Sequence, residues 1–268
     1  MSVEFRTVEI GNNALDCFSF GAGARKLVIL PGLSIRGILN YAPLVAMSYR
    51  EFSDLFTVYV FDKPRAIPPG YGIENMTDDT ALAAERLGLD EFRLFGASFG
   101  GMMAMLLAIR HPRRVSRLAL GCTSARIEPE RFAVLAEWID LAEKRDRAGL
   151  FMKFGQAVYP PEIFAGCRDA LLHEAEMTTD DDLERFAALS RSARNFDIAQ
   201  NLDAIRCPTL AVGARDDNVL GAEATETIAG RMAFREDFTM HMYESGYGHA
   251  AYDTAPDFKR RLLEFIRR

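Results

Sequence analysis

Ser98 stands between two glycines in the run Phe92-Arg93-Leu94-Phe95-Gly96-Ala97-Ser98-Phe99-Gly100-Gly101. The residues before it read as a buried strand, and Phe99 to Ile109 reads as a helix that is apolar almost all round. A serine at such a junction sits on a sharp strand-to-helix turn that exposes its Oγ. Gly96 and Gly100 fit there because a Cβ at either place would crowd the turn. The helix N-terminus aims free backbone N–H groups at any anion that forms beside the hydroxyl. The five-residue pattern alone is weak, arising by chance in about one chain in ten of this length and ordinary composition. The strand–turn–helix setting is what gives it meaning.

A serine hydroxyl is a poor nucleophile without a neighbouring base. The chain has four histidines, His111, His173, His241 and His249. His111 precedes Pro112 and reads as a helix cap, His173 falls in a helical stretch, and His241 falls in a strand pattern. His249 lies in the Gly-rich segment Glu244-Ser245-Gly246-Tyr247-Gly248-His249, after the last strand pattern and before the final helix. That order, serine then acid then histidine, makes it the expected base.

A carboxylate is needed to hold the imidazole in one tautomer and to stabilise the imidazolium. Leu210-Ala211-Val212 is followed by Gly213-Ala214-Arg215-Asp216-Asp217-Asn218, which offers Asp216 and Asp217. One is expected to serve the turn and the other the chemistry. The loop after the preceding strand, Gly121-Cys122-Thr123-Ser124, offers no carboxylate. Two backbone N–H groups must hold an oxyanion. Phe99 supplies one and Leu33, in Pro31-Gly32-Leu33-Ser34, the other; Pro31 has no donor, and Gly32 allows a close approach.

These groups need a scaffold. Near-continuous apolar runs at Lys26–Leu30, Phe56–Phe61, Phe92–Phe95, Ser116–Leu120 and Pro208–Val212 mark strands covered on both faces, hence a parallel sheet. Val3–Ile10 and Ala14–Phe20 form an expected opening antiparallel pair, and Phe238–Tyr243 a late strand. Thr77 is placed to cap a helix that ends near Gly88. Phe258, Leu262, Phe265 and Ile266 recur at helical spacing near the C-terminus. The expected fold is α/β: an eight-stranded, mostly parallel sheet flanked by helices. Its core spans 1–126 and 203–268, and a helical cap, 127–202, is inserted after strand 6. Within that insert Pro129 suits the first position of one helix, and Thr179 with Asp182 forms a capping box for another.

Bulk properties narrow the function classes. The chain has 268 residues, net charge −6, 49% hydrophobic and 26% charged residues, and a length one α/β domain can reach. An acidic surface repels phosphate backbones, so nucleic acid is not an expected partner. The one compact basic run, Lys259-Arg260-Arg261, complements the dipole of a last helix. Cys17, Cys122, Cys167 and Cys207 form no Cys-x-x-Cys pair, so no metal site is expected, and scattered thiols suit a reducing cytoplasm. Met1-Ser2-Val3-Glu4-Phe5-Arg6 shows no apolar leader, and Met102–Ile109 is too short to span a bilayer. The expected partner is a small-molecule substrate, with no membrane, no cofactor, and a homodimer left open.

At these residues the chain resembles the α/β-hydrolase family along nearly its whole length. Gly96-Ala97-Ser98-Phe99-Gly100-Gly101 resembles the nucleophile elbow, Gly248-His249 the histidine loop, and Pro31-Gly32-Leu33 the oxyanion loop. Gly213-Ala214-Arg215-Asp216 resembles the acid turn, where the aspartate falls three residues after the glycine. The resemblance therefore implies Asp216 as the acid, and a Ser98–His249–Asp216 triad that cleaves esters or related acyl bonds. Two segments depart from the family. Pro31-Gly32 replaces the usual His-Gly, and Lys63-Pro64-Arg65-Ala66 stands where a Gly-rich segment is common. The serine also separates the chain from relatives that use aspartate at the elbow.

The insert supplies Phe132, Leu135, Trp138, Phe151, Met152, Phe154 and Phe164. Most are expected to pack, while Trp138 and Phe154 are expected to line the substrate pocket. A small or medium hydrophobic ester or thioester is the resulting expectation. Acyl transfer to another acceptor (a perhydrolase included), amide or C–C bond hydrolysis, and a low-turnover receptor stay open on the same residues.

Overall fold

The computed structural model describes residues 2–268; Met1, the start of the N-terminal stretch read above, lies outside them. The strands are β1 (Glu4–Ile10), β2 (Asn13–Phe20), β3 (Arg25–Leu30), β4 (Phe56–Phe61), β5 (Phe92–Ala97), β6 (Val115–Gly121), β7 (Thr209–Ala214) and β8 (Phe238–Tyr243). They form an eight-stranded sheet in the order β1-β2-β4-β3-β5-β6-β7-β8. β1 and β2 pair antiparallel, as does β2 with β4, and every later pairing is parallel. All six residues of β7 are buried, which is why its sequence is an apolar run without alternation.

The helices are α1 (Ala42–Ser48), α2 (Ile73–Arg86), α3 (Phe99–Arg110), α4 (Pro129–Glu143), α5 (Arg147–Val158), α6 (Pro161–Glu176), α7 (Asp180–Ser192), α8 (Ala222–Met232), α9 (Ala251–Thr254) and α10 (Phe258–Ile266). Side chains of α2, α3 and α8 join one apolar layer, and those of α1 and α10 join the layer on the opposite face. In α10 the buried residues are Phe258, Leu262 and Ile266, one stripe at helical spacing; each contributes about 1.5–3 kcal/mol by burial. No helix among the described residues is long and apolar enough to cross a membrane.

Helices α4–α7 lie between β6 and β7, where the strand pattern breaks off. α4 starts with Pro129 in its first turn, and Thr179 caps α7 with Asp182 bonded back to it, as the sequence predicts. α5 and α6 are additional: their mixed surfaces give weak periodicity. One expectation is corrected. α2 begins at Ile73, so Thr77 is not its cap but an interior residue whose Oγ1 donates to the Ile73 carbonyl at 2.8 Å. The cap is Gly72, whose N–H donates to Asn75 Oδ1 at 3.0 Å. The Gly70-Tyr71-Gly72 turn hides that start in the sequence.

Candidate active site

The parallel register decides which loops meet. Leu30 of β3 pairs beside Gly96 of β5, and Ala97 beside Gly121 of β6. The carboxyl ends of β3, β5 and β6 therefore stop side by side, and Ser98 projects where they stop. Its φ of 50° and ψ of −121° lie outside the ordinary regions, a strain of order 1–3 kcal/mol. The surroundings hold it there. Ser98 N–H donates to the Gly121 carbonyl at 2.8 Å, and Ser98 O accepts from Thr123 Oγ1 at 2.6 Å. A Cβ on Gly100 would strike the Leu30 carbonyl, and one on Gly96 would come within 2.5 Å of the Gly100 carbonyl. Both glycines are thus required by close approach.

His249 is 3% exposed. Its Nε2 lies 2.7 Å from Ser98 Oγ, and its Nδ1 lies 2.9 and 3.0 Å from the two oxygens of Asp217. A carboxylate can only accept here, so Nδ1 carries the proton and Nε2 is left to accept from the serine hydroxyl. Asp217 Oδ1 also accepts the N–H groups of Val219 and Leu220, each at 2.9 Å. Burial alone would raise the Asp217 carboxyl. The facing imidazole and these two donors outweigh it and hold the carboxyl below its ordinary value.

The expected acid, Asp216, is displaced by its neighbour. Asp216 Oδ2 accepts the N–H groups of Gly246 and Tyr247 at 2.7 and 3.2 Å, and Oδ1 that of Gly248 at 3.1 Å. It ties down the loop that carries His249 but bonds to no ring nitrogen. The cause lies in the sheet: β7 runs through Ala214, and Arg215 N–H still donates to the Tyr243 carbonyl at 2.9 Å. The apolar run suggests an end at Val212. The two further residues in the ladder shift the turn, so the second aspartate faces the imidazole.

Leu33 and Phe99, the expected oxyanion donors, both line the cavity beside Ser98. A Cβ placed on Gly32 would lie 3.1 Å from Ser98 Cβ, so the Pro31–Leu33 loop passes against the nucleophile. Neither Leu33 N–H nor Phe99 N–H finds an acceptor among the described residues. Leu33, Phe99, Trp138, Phe154, Ser98 and His249 line a cavity of about 30 Å³, roughly two to three times what a single water needs. Trp138 and Phe154 line this cavity with ring centroids 4.8 Å apart.

A second cavity of about 570 Å³ adjoins the first and shares Leu33, Phe154, Val158 and Tyr252 with it. Ile29, Val60 and Phe95 of the sheet and Val45 of α1 are among the residues that line it. Asp253 and Lys259, 3.6 Å apart, stand among its lining residues. Val158 and Tyr252 carry no signal in the sequence, because a single aromatic or aliphatic residue at a helix end looks the same whether it packs or lines a cavity. Among the described residues no group of three or more His, Cys, Asp or Glu side chains is arranged to hold a metal ion.

A profile of the Alpha/beta hydrolase family matches residues 27–258. The chain belongs to the α/β-hydrolase family. Among curated relatives, "Putative carbamate hydrolase RutD" from Rhizobium rhizogenes is 29% identical over 216 residues, covering 75% of this chain and 76% of its own. The protein of the same name from Pantoea ananatis is 27% identical over 269 residues, covering 92% and 90%. Among solved structures, an α/β hydrolase from a Medee basin deep-sea metagenome library superposes with a TM-score of 0.86 at 17% identity, covering 98% of both chains. The enol-lactonase from Burkholderia xenovorans LB400 gives a TM-score of 0.82 at 21% identity, covering 98% and 100%. At such identities the structural likeness establishes the fold. The expected family and the mostly parallel eight-stranded fold both hold, and this α/β hydrolase is an enzyme of the hydrolase class.

Proposed function

We propose that this α/β hydrolase is a serine hydrolase that cleaves an ester or thioester of a small to medium hydrophobic acyl group. The observation that carries the reading is the 2.7 Å contact from Ser98 Oγ to His249 Nε2, with Asp217 at 2.9 Å behind the ring. His249 takes the Ser98 proton as Oγ attacks the carbonyl carbon, and Asp217 stabilises the imidazolium. Leu33 and Phe99 N–H groups hold the oxyanion, worth about 3–4 kcal/mol per donor. His249 then returns the proton to the departing alcohol or thiol. Water, deprotonated by the same imidazole, splits the acyl-enzyme and restores Ser98.

The scissile group occupies the small cavity, and the apolar body extends into the adjoining larger one past Phe154 and Tyr252. Helices α4–α7 act as a cap that excludes water from the acyl-enzyme. Carbamate cleavage is the second reading, favoured by the name of the relatives that align along most of the chain. The same attack on a carbamate carbonyl uses the same groups. Turnover of nitrophenyl esters, thioesters and carbamates by the wild type and by Ser98→Ala tests both. Activity on esters that vanishes in Ser98→Ala supports the first reading, preference for carbamates the second, and activity that survives the substitution ends both.

A further inference from the structure

Lys63 lies two residues past β4 and is 3% exposed, yet it makes no ion pair among the described residues. Its Nζ instead donates to two carbonyls, Pro31 O at 2.8 Å and Gly32 O in a short contact. Burying an ammonium without a paired carboxylate is costly, so the contact needs a reason. The two acceptors are successive peptides of the loop that carries Leu33 N–H. The Gly32 carbonyl and Leu33 N–H belong to one peptide plane, which is trans, as every described peptide is. In a trans peptide the C=O and N–H point in opposite directions. Turning the Gly32 carbonyl towards Lys63 therefore turns Leu33 N–H away from it. A glycine in this loop leaves the peptide free to rotate, so something must hold it.

We propose that Lys63 is the positioning residue of the oxyanion loop: by gripping the Pro31 and Gly32 carbonyls from behind, it aims Leu33 N–H at the oxyanion formed on Ser98. This rests on the serine-hydrolase reading above. Pro31-Gly32 and Lys63-Pro64-Arg65, the two segments in which the sequence departs from its family, meet at this contact. The grip is fastened from the helical insert. Arg185 of α7 donates to the Lys63 carbonyl at 2.7 Å and to Asp62 Oδ1 at 3.1 Å, and Asp62 Oδ2 accepts Ile38 N–H at 3.1 Å. The placement of α7 and the geometry of the oxyanion loop are thereby coupled. Burial lowers the Lys63 ammonium to about 8, against the attraction of Asp62 and with the repulsion of Arg185. Those two are the charged groups that face it; the loop opposite contributes carbonyls.

The test uses the full chain and Lys63→Met, which keeps the stem and removes the donors. On a nitrophenyl ester, kcat is expected to fall about 100-fold, the effect of losing one oxyanion donor, with KM nearly unchanged. A trifluoromethyl ketone forms a hemiketal on Ser98 whose oxyanion titration is read by ¹⁹F NMR. In Lys63→Met that ionisation is expected to move up by about two pH units, the same hundredfold. A kcat within threefold of wild type, or an unmoved hemiketal titration, overturns the proposal. Lost packing alone would lower the folded fraction without moving that titration. Where Lys63→Met does not fold, Lys63→Gln, whose side chain is one bond shorter, is read by the same hemiketal titration: an upward shift supports the proposal and an unmoved titration overturns it. Should the wild type form no hemiketal and Ser98→Ala match it in turnover, it is the serine-hydrolase reading that fails.

Discussion

Asp217 Oδ2 lies 2.9 Å from His249 Nδ1, while Asp216, one residue earlier, turns its carboxylate onto three N–H groups of the loop that carries the histidine. The two neighbouring aspartates therefore divide one task, orienting the ring and fixing its loop. Asp217→Asn is expected to lower kcat by about 10⁴-fold, because an amide favours the wrong imidazole tautomer. Asp216→Asn leaves the ring contact in place and is expected to cost about 1 kcal/mol of stability, as exposed to half-buried donors lose part of a charged acceptor. Steady-state kinetics and urea unfolding of both variants check the division. The reverse pattern would return the acid role to Asp216.

Acid sensitivity follows from the same carboxylate. Asp217 is held below its ordinary value of 3.8 in the folded protein, so the unfolded chain binds its proton first as pH falls. Its contribution to stability is complete above that value and is lost as pH drops through the folded one. Unfolding free energies measured from pH 6 to pH 2.5, a range chosen to bracket that titration, are expected to show wild type and Asp217→Asn converging at the acid end. A constant gap would contradict the linkage.

The elbow glycines are predicted to be intolerant. Gly100→Ala places a methyl against the Leu30 carbonyl, which belongs to a buried strand end and has nowhere to move. A loss of more than about 3 kcal/mol is expected, as for overpacking against rigid backbone. Gly230, on α8, has open space around it, and Gly230→Ala is expected to be neutral or mildly stabilising, by up to about 1 kcal/mol. Thermal melts of the two variants make the comparison.

Trp138 is the single tryptophan of the chain and lines the cavity at Ser98. Its fluorescence is therefore expected to change when a fluorophosphonate labels Ser98, and to stay constant in Ser98→Ala. Phe154 lines both cavities, so Phe154→Ala is expected to shift a chain-length series of nitrophenyl esters towards longer acyl groups. An unchanged series would place the acyl chain elsewhere.

Much of this protein could be read without coordinates. The strands are apolar because both faces of the sheet are covered. The elbow was legible because Ser98 needs Gly96 and Gly100 in the chain beside it, and a local steric demand leaves a local pattern. The place of His249 beside Ser98 followed from chain order and the absence of a rival histidine in a late loop. The tertiary structure decided what depends on pairing across distance. Which aspartate meets the ring was set by how far β7 stays bonded to β8, and no residue type near Asp216 and Asp217 records that length. Lys63 lies 35 residues before Ser98, and only the β4–β3–β5 order brings it behind the oxyanion loop. A side chain's chemistry is written in its own type, but its direction is fixed by hydrogen bonds to strands that are neighbours in space alone.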